Sequence, residues 1–246
     1  MKRLLVLAIV GVLLVCGSGL TLAAEVLKVG SDVAFPPFEF IDDKTKAPTG
    51  FDIELIKAIG KAMGADMQIV NTAWDGIIPG LITGNYDIII SAMTITDERA
   101  AAVNFSDPYF STGQVIVVKK GTTSISEPAD LNKKKVGVQI GTTGHWSAEK
   151  IKGVEIKAYQ TAPEAFMALK AGQIDAVVID QLVAIEEMQA NPGKTVIVGE
   201  PFTVEYYGIA VKKGRSDLLK RINKALAQIK ADGTYDKIYD KWIGQQ

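Results

Sequence analysis

The chain has 246 residues, of which 48% are hydrophobic and 22% charged, with a formal net charge of −1. That is ordinary globular composition, and the length suits one large domain or two small ones, each able to bury a core. The near-neutral balance, with no basic tract to follow phosphates, excludes a typical nucleic-acid binder.

Residues 1–24 read as a targeting segment. Lys2-Arg3 is a basic start, and Leu4 to Val15 is an apolar run of 12 residues, too short to span a membrane and suited to a signal-peptide core. Small residues at Thr21-Leu-Ala-Ala24 put the expected cleavage near Ala23 or Ala24, leaving 25 basic and 28 acidic residues. The single cysteine, Cys16, lies in Leu13-Leu-Val-Cys16-Gly-Ser, which resembles a lipobox, so a lipid anchor through Cys16 is the alternative. Soluble export would leave no disulfide, and the core alone would hold the fold.

Val26 to Ser31 is predicted as the first strand, followed by an extended loop, Asp32 to Phe40, whose two prolines forbid a helix. Asp32 and Phe35 would then sit at the mouth of the sheet. Phe51 to Met63 has helical apolar spacing and is ended by Gly64. Met67 to Val70 is a second strand, and Trp74 precedes a short helix over Asp75 to Ile82. Ile88 to Ile90 is a buried strand. After it, Ser91-Ala-Met-Thr-Ile-Thr-Asp-Glu-Arg99 reads as a strand end followed by a helix capped by Thr96. Arg99 is then either a surface residue on a capped helix or a bidentate grip for a carboxylate.

A second region begins near Gln114. Val115 to Val118, Val136 to Val138, Val154 to Ala158 and Thr195 to Val198 read as strands. Gln139-Ile-Gly-Thr-Thr-Gly144 opens a helix, Thr161-Ala-Pro-Glu164 is a capping box for a helix to Ala171, and Asp180 starts a helix to Ala190. Leu81 to Ile90 and Leu169 to Val178 share a frame of Leu, Gly, Asp and three apolar residues, read as one αβ junction used twice. Glu205 to Val211 is predicted as a single returning strand, and Arg215 to Lys230 and Thr234 to Trp242 as closing helices.

Strands alternating with helices argue an α/β fold with mostly parallel sheets. Two such sets suggest two lobes: 25–110 with 207–246, and 114–203, joined by hinge segments near 109–113 and 203–207. Ligands in open α/β sheets bind beyond the carboxyl ends of strands. Asp32 with Phe35, Thr94 with Arg99, Gln139 with Thr143, and Asp180 all fall at such ends, which points to a site between the lobes.

The ordered motifs Asp32 to Phe40 (D-x-A-F-x-P-F-E-F), Gly50 to Leu55 (G-F-D-I-E-L), Thr94 to Arg99, Phe105 to Tyr109, Val138 to Thr143, Asp175 to Asp180 and Gly233 to Trp242 run through nearly the whole mature chain. Together they resemble the family 3 periplasmic solute-binding proteins of polar amino-acid ABC transporters, near the glutamine, arginine and lysine/arginine/ornithine binders. The resemblance implies a type II two-lobe periplasmic-binding-protein fold closing on one free L-amino acid in a cleft over a two-segment hinge. It also implies a monomeric, periplasmic partner of membrane permease subunits, with no cofactor, no metal and no catalytic residue.

By motif position Arg99 would take the ligand's α-carboxylate, helped by Thr94 and by backbone N–H at Thr94 and Thr143, and Asp180 would take the α-ammonium. Phe35 and Trp74 would face the ligand side chain, unless they belong to the lobe core. Asp32 would reach its far end, unless it is only a turn acid. Ala92 stands where the glutamine binder has Gly and should offer only backbone, while Ser91 and Glu205 could add acceptors. Gln139 stands where the glutamine binder has Lys. With no cation there, Asp32 and the aromatic pair suit a cationic side chain, stacking being worth roughly 0.5–2 kcal/mol. The resemblance thus favours arginine or another basic amino acid, with glutamine as the alternative. A cyclohexadienyl dehydratase-like enzyme on the same fold is the rival from another class. His145 is the only histidine, expected at the surface, so Ser/His, Cys/His and metal sites lack their parts.

Overall fold

Apolar strands and amphipathic helices alternate along the chain, and each helix stops where its apolar spacing does. The computed structural model describes residues 25–244; the stretch read as an export signal, with Cys16, Ala23 and Ala24, lies outside them. In chain order the elements are β1 (Glu25–Ser31), β2 (Ala34–Phe35), β3 (Glu39–Ile41), β4 (Pro48–Thr49), α1 (Phe51–Met63), β5 (Ala65–Asn71), α2 (Ile77–Thr83), β6 (Ile88–Ile89), α3 (Asp97–Ala102), β7 (Val103–Phe105), β8 (Phe110–Thr112) and β9 (Gln114–Lys119). There follow β10 (Lys135–Gln139), α4 (Thr143–Glu149), β11 (Glu155–Tyr159), α5 (Ala162–Ala171), β12 (Ala176–Asp180), α6 (Gln181–Ala190), β13 (Thr195–Val198), β14 (Glu205–Tyr207), β15 (Ala210–Lys212), α7 (Ser216–Ala231) and α8 (Thr234–Trp242).

Two five-stranded sheets result, in the orders β5-β1-β6-β15-β7 and β11-β10-β12-β9-β13. Each has three parallel strands and then an antiparallel one, β15 in the first and β9 in the second. The repeated αβ junction is visible atom by atom. Gly84 and Gly172 end α2 and α5 in the left-handed conformation, at φ 86° and 74°, where glycine has no Cβ penalty. Asp87 then accepts from Lys28 N–H at 3.0 Å, and Asp175 from Lys135 N–H at 2.8 Å. Each aspartate thereby fixes the start of the neighbouring parallel strand, so strand ends meet the cleft in the same way in both lobes.

Two predicted elements are corrected. The loop after β1 is not simply extended: β2 and β3 form a hairpin that pairs Phe35 with Glu39. The stretch 205–211 is not one strand. β14 pairs with β8 in a two-stranded ribbon, Glu205 opposite Thr112 and Tyr207 opposite Phe110, whereas β15 enters the first sheet. Gly208 lies between the two strands and packs closely there, since a Cβ on it would meet Ile95 Cγ1 at 2.8 Å.

The ribbon carries the chain between the sheets, and its strands leave it packed tightly. A Cβ on Gly113 would lie 2.2 Å from the Thr203 carbonyl oxygen. Gly113→Ala should therefore force the two crossings apart and cost about 1–3 kcal/mol, the usual range for overpacking. Urea unfolding reads this directly, and an unchanged midpoint would mean that the crossings have slack.

Candidate functional site

The carboxyl ends of β1, β10 and β12, with the connections after β6 and β10, face one another across a small cavity. Asp32, Phe35, Trp74, Ser91, Ala92, Thr94 and Arg99 line it from the first lobe, and Gln139, Thr143 and Asp180 from the second. Glu39 and Thr142 line it too, two residues that the motif reading did not single out.

Arg99 is the cation of this cavity. Thr96 caps α3 by accepting from Arg99 N–H, which fixes the guanidinium at the start of the helix. Its side chain is 4% exposed. Nη1 donates to the Thr94 carbonyl at 2.8 Å and Nη2 to the Gly141 carbonyl, across the cleft, at 3.2 Å. The guanidinium carbon lies 5.0 Å from the Trp74 ring centroid and 4.9 Å from that of Trp146, one ring from each lobe. Burial lowers its pKa to about 10, against the opposing pull of Glu205 and Asp180, so it stays charged at neutral pH. A guanidinium has five N–H donors and two are spent on carbonyls, which leaves donors for a carboxylate.

Trp146 escaped the sequence reading, although an aromatic in the first turn after the Thr142 cap was a signal for it. His145, expected at the surface, has an 18% exposed side chain. Its Nδ1 accepts from Gly141 N–H at 3.2 Å, so it braces the turn whose carbonyl holds Arg99.

At the other pole stands Asp180, the last residue of β12 and the N-cap of α6. Its carboxylate does not cap the helix; it accepts from Tyr207 O–H at 2.6 Å. Burial first, and the Glu205 charge second, push its pKa up to about 7, opposed by the Tyr207 hydrogen bond. Glu205 does not line the cavity. It lies behind it on β14, accepting from Thr94, Thr143 and Thr203 hydroxyls.

Asp32 ends β1. Its Oδ2 accepts from Gln139 Nε2 at 2.9 Å across the cleft, and its N–H donates to Ser91 Oγ at 2.9 Å. Burial pushes its pKa up to about 6, opposed by Gln139. Among the described residues no basic side chain pairs with it. Ser91 is not a free acceptor: its hydroxyl donates to Glu39 Oε1 at 3.0 Å. Ala92, with φ 44°, does not offer its whole backbone either, because its N–H donates to Asp52 Oδ2 at 2.7 Å.

Below these residues lies a buried acid pair. Tyr109 O–H also donates to Asp52 Oδ2, at 2.6 Å. The remaining oxygens, Glu39 Oε2 and Asp52 Oδ1, are buried without a donor from a third residue. One proton between the two carboxyls satisfies both. Burial first, then the Asp52 charge, raises the Glu39 pKa well above its ordinary 4.5.

The sequence profile of the bacterial extracellular solute-binding proteins, family 3, matches residues 27–245. The L-cystine-binding protein TcyJ of Escherichia coli (strain K12) is 36% identical over 220 residues, covering 89% of this chain and 82% of that protein. The ABC transporter arginine-binding protein 1 of the same organism is 40% identical over 229 residues, covering 91% and 93%. Among solved structures, an ancestral arginine-binding protein bound to arginine superposes with a TM-score of 0.86 at 50% identity, covering 89% of this chain and 98% of that one. An ancestral arginine-binding protein bound to glutamine superposes with a TM-score of 0.87 at 50% identity, covering 90% of this chain and 99% of that one. An ancestral amino acid-binding protein, a precursor of cyclohexadienyl dehydratase, has a TM-score of 0.83 at 44% identity, covering 88% and 95%.

The acid pair makes a stability prediction. Glu39 keeps a proton in the fold that the unfolded chain releases near pH 4.5. The stability this contributes is full below that pH and is lost as pH rises through the raised native value. Glu39→Gln keeps an acceptor for Ser91 and a donor for Asp52 but cannot titrate. Its urea midpoint at pH 8 should exceed that of the wild type, with a flatter slope between pH 5 and 8. An unaltered slope would show that Glu39 does not hold the proton.

Proposed function

The chain belongs to the bacterial extracellular solute-binding proteins of family 3, and from that premise we propose that it is the extracytoplasmic substrate-binding subunit of an amino-acid ABC importer, taking arginine or another basic L-amino acid. The observation that carries this reading is the charge layout of the cavity. A buried guanidinium, Arg99, stands at one pole and a buried carboxylate, Asp180, at the other, a pairing suited to the two charges of a zwitterion removed from water. Asp32 lies at the same cavity with Phe35 and Trp74 and has no basic partner among the described residues, which suits a cationic side chain. The named relatives, which bind cystine and arginine, and the ancestral arginine-binding proteins solved with arginine or with glutamine, support the class of ligand.

In this reading residues 25–110 with 207–246, and 114–203, close about the segments 109–113 and 203–207 as a monomer that delivers its ligand to membrane permease subunits. Export uses residues 1–24, with cleavage near Ala23 or Ala24, or anchoring through Cys16. The ligand test is titration calorimetry on protein stripped by unfolding and refolding. A micromolar constant corresponds to about −8 kcal/mol, and saturating ligand should raise the melting temperature and lower the scattering radius of gyration.

One specific observation gives the enzymatic alternative a foothold: Glu39 lines the cavity, and burial with the Asp52 charge raises its pKa, the direction a general acid needs. Incubation with prephenate or arogenate decides it, and a protein that binds amino acids yet consumes neither is a binder only.

Two predictions follow from the charges. Arginine should bind more tightly than glutamine, and Asp32→Asn should weaken arginine more than glutamine, because only the guanidinium uses the charge of Asp32. Tighter glutamine binding in the wild type would sink the cationic reading and leave the amino-acid reading intact. The second concerns pH. Asp180, raised to about 7, must ionise to take an ammonium, so uptake should expel a proton near neutrality. Affinity should fall below pH 7 by up to about tenfold per pH unit. Calorimetry in buffers of different ionisation heat reads the proton, and Asp180→Asn should abolish its release. A release that survives Asp180→Asn would remove Asp180 from this role.

A further inference from the structure

We infer that Glu205, although it does not line the cavity, is a positioning residue that turns the Thr94 and Thr143 hydroxyls into acceptors and so makes the site select ligands bearing an α-ammonium. This inference rests on the amino-acid-binding reading above. Glu205 sits on β14, where the chain crosses between the lobes. Its Oε2 accepts from Thr94 Oγ1, in the first lobe, at 2.8 Å and from Thr143 Oγ1, in the second, at 2.7 Å. Oε1 accepts from Thr203 Oγ1 at 3.0 Å. Thr203 cannot turn its donor elsewhere without losing that bond, because its oxygen already accepts from Gln114 N–H at 2.8 Å.

A carboxylate only accepts, and a hydroxyl has a single proton. Thr94 and Thr143 each spend that proton on Glu205. What they retain for the cavity, which both line, is lone pairs. Thr143 shares one of these with Gln114 Nε2 at 3.4 Å, while among the described residues Thr94 Oγ1 has, besides Glu205, only a 3.4 Å approach to Thr143 Oγ1. A lone pair repels a carboxylate and accepts from an ammonium. The motif resemblance gave Thr94 a part in holding the α-carboxylate; the hydrogen-bond directions leave that part to its backbone and to Arg99. The hydroxyl of Thr94, which lines the same cavity as Asp180, is thereby left as an acceptor for the ammonium.

The test compares each amino acid with the same molecule lacking its α-ammonium: arginine against 5-guanidinopentanoate, and glutamine against glutaramate. Titrations run at pH 8, above the value of about 7 to which Asp180 is raised, so a change in its ionisation does not enter. Glu205→Gln is isosteric but is a weaker acceptor and lets the hydroxyls donate. It should lower the preference for the ammonium-bearing ligand by about tenfold, mainly by weakening that ligand. Thr94→Val, which keeps the shape and removes the lone pairs, should lower the same ratio. Because Glu205 acts through the hydroxyls, the double variant should lose less than the two single losses combined. Equal weakening of both ligands, with the ratio kept, would make Glu205 a purely structural residue and overturn the inference. A wild type that binds no free amino acid, these two included, would instead fail at the earlier step and remove the amino-acid reading together with this one.

Discussion

A buried guanidinium constrains everything around it. Arg99 is 4% exposed, and a charge taken out of water must be repaid by nearby dipoles, rings or counter-charges. No single lobe supplies enough. Thr94 and Trp74 come from the first, and Gly141 and Trp146 from the second. The burial of Arg99 therefore depends on groups from both lobes together. His145, by holding the Gly141 turn, supports it from outside the cavity.

The second constraint is an imbalance of charge. Asp32, Glu39 and Asp180 line the cavity and Glu205 backs it, while Arg99 is the only basic residue among the described ones that line it. So many carboxyls cannot all ionise beside one guanidinium in a dry space. The protein answers in three ways. Glu39 and Asp52 share a proton, Asp32 and Asp180 have raised pKa values, and Glu205 gathers three hydroxyl donors. A ligand bringing positive charge would relieve this excess, which is the physical ground for proposing a basic amino acid.

The scaffold makes this assembly reproducible. The same αβ junction, a left-handed glycine followed by an aspartate that receives the next strand's N–H, recurs at Gly84 with Asp87 and at Gly172 with Asp175. It sets parallel strand ends at equal depth in both lobes. The ribbon of β8 and β14 then limits how the two sets of ends can face each other, and Gly208 lies where the chain leaves that ribbon for the first sheet.

The sequence alone determined the α/β class, most helices and strands, and the strand-end positions of Asp32, Thr94, Arg99, Gln139 and Asp180. Apolar periodicity, capping residues and glycine stops are local signals, and local signals are written in neighbouring residues. It did not disclose that Glu39 and Asp52 share a proton, that Trp146 closes the second face of Arg99, that Ser91 and the Ala92 N–H are already engaged, or that Glu205 works through hydroxyls. Each of these depends on groups far apart in the chain: Glu39 and Ser91 are 52 residues apart, and Thr94 and Glu205 are 111. Side-chain hydrogen-bond direction and desolvation are properties of the packed space between such groups. Only the tertiary structure decided them, because only there does a donor run out of alternatives and a carboxyl run out of water.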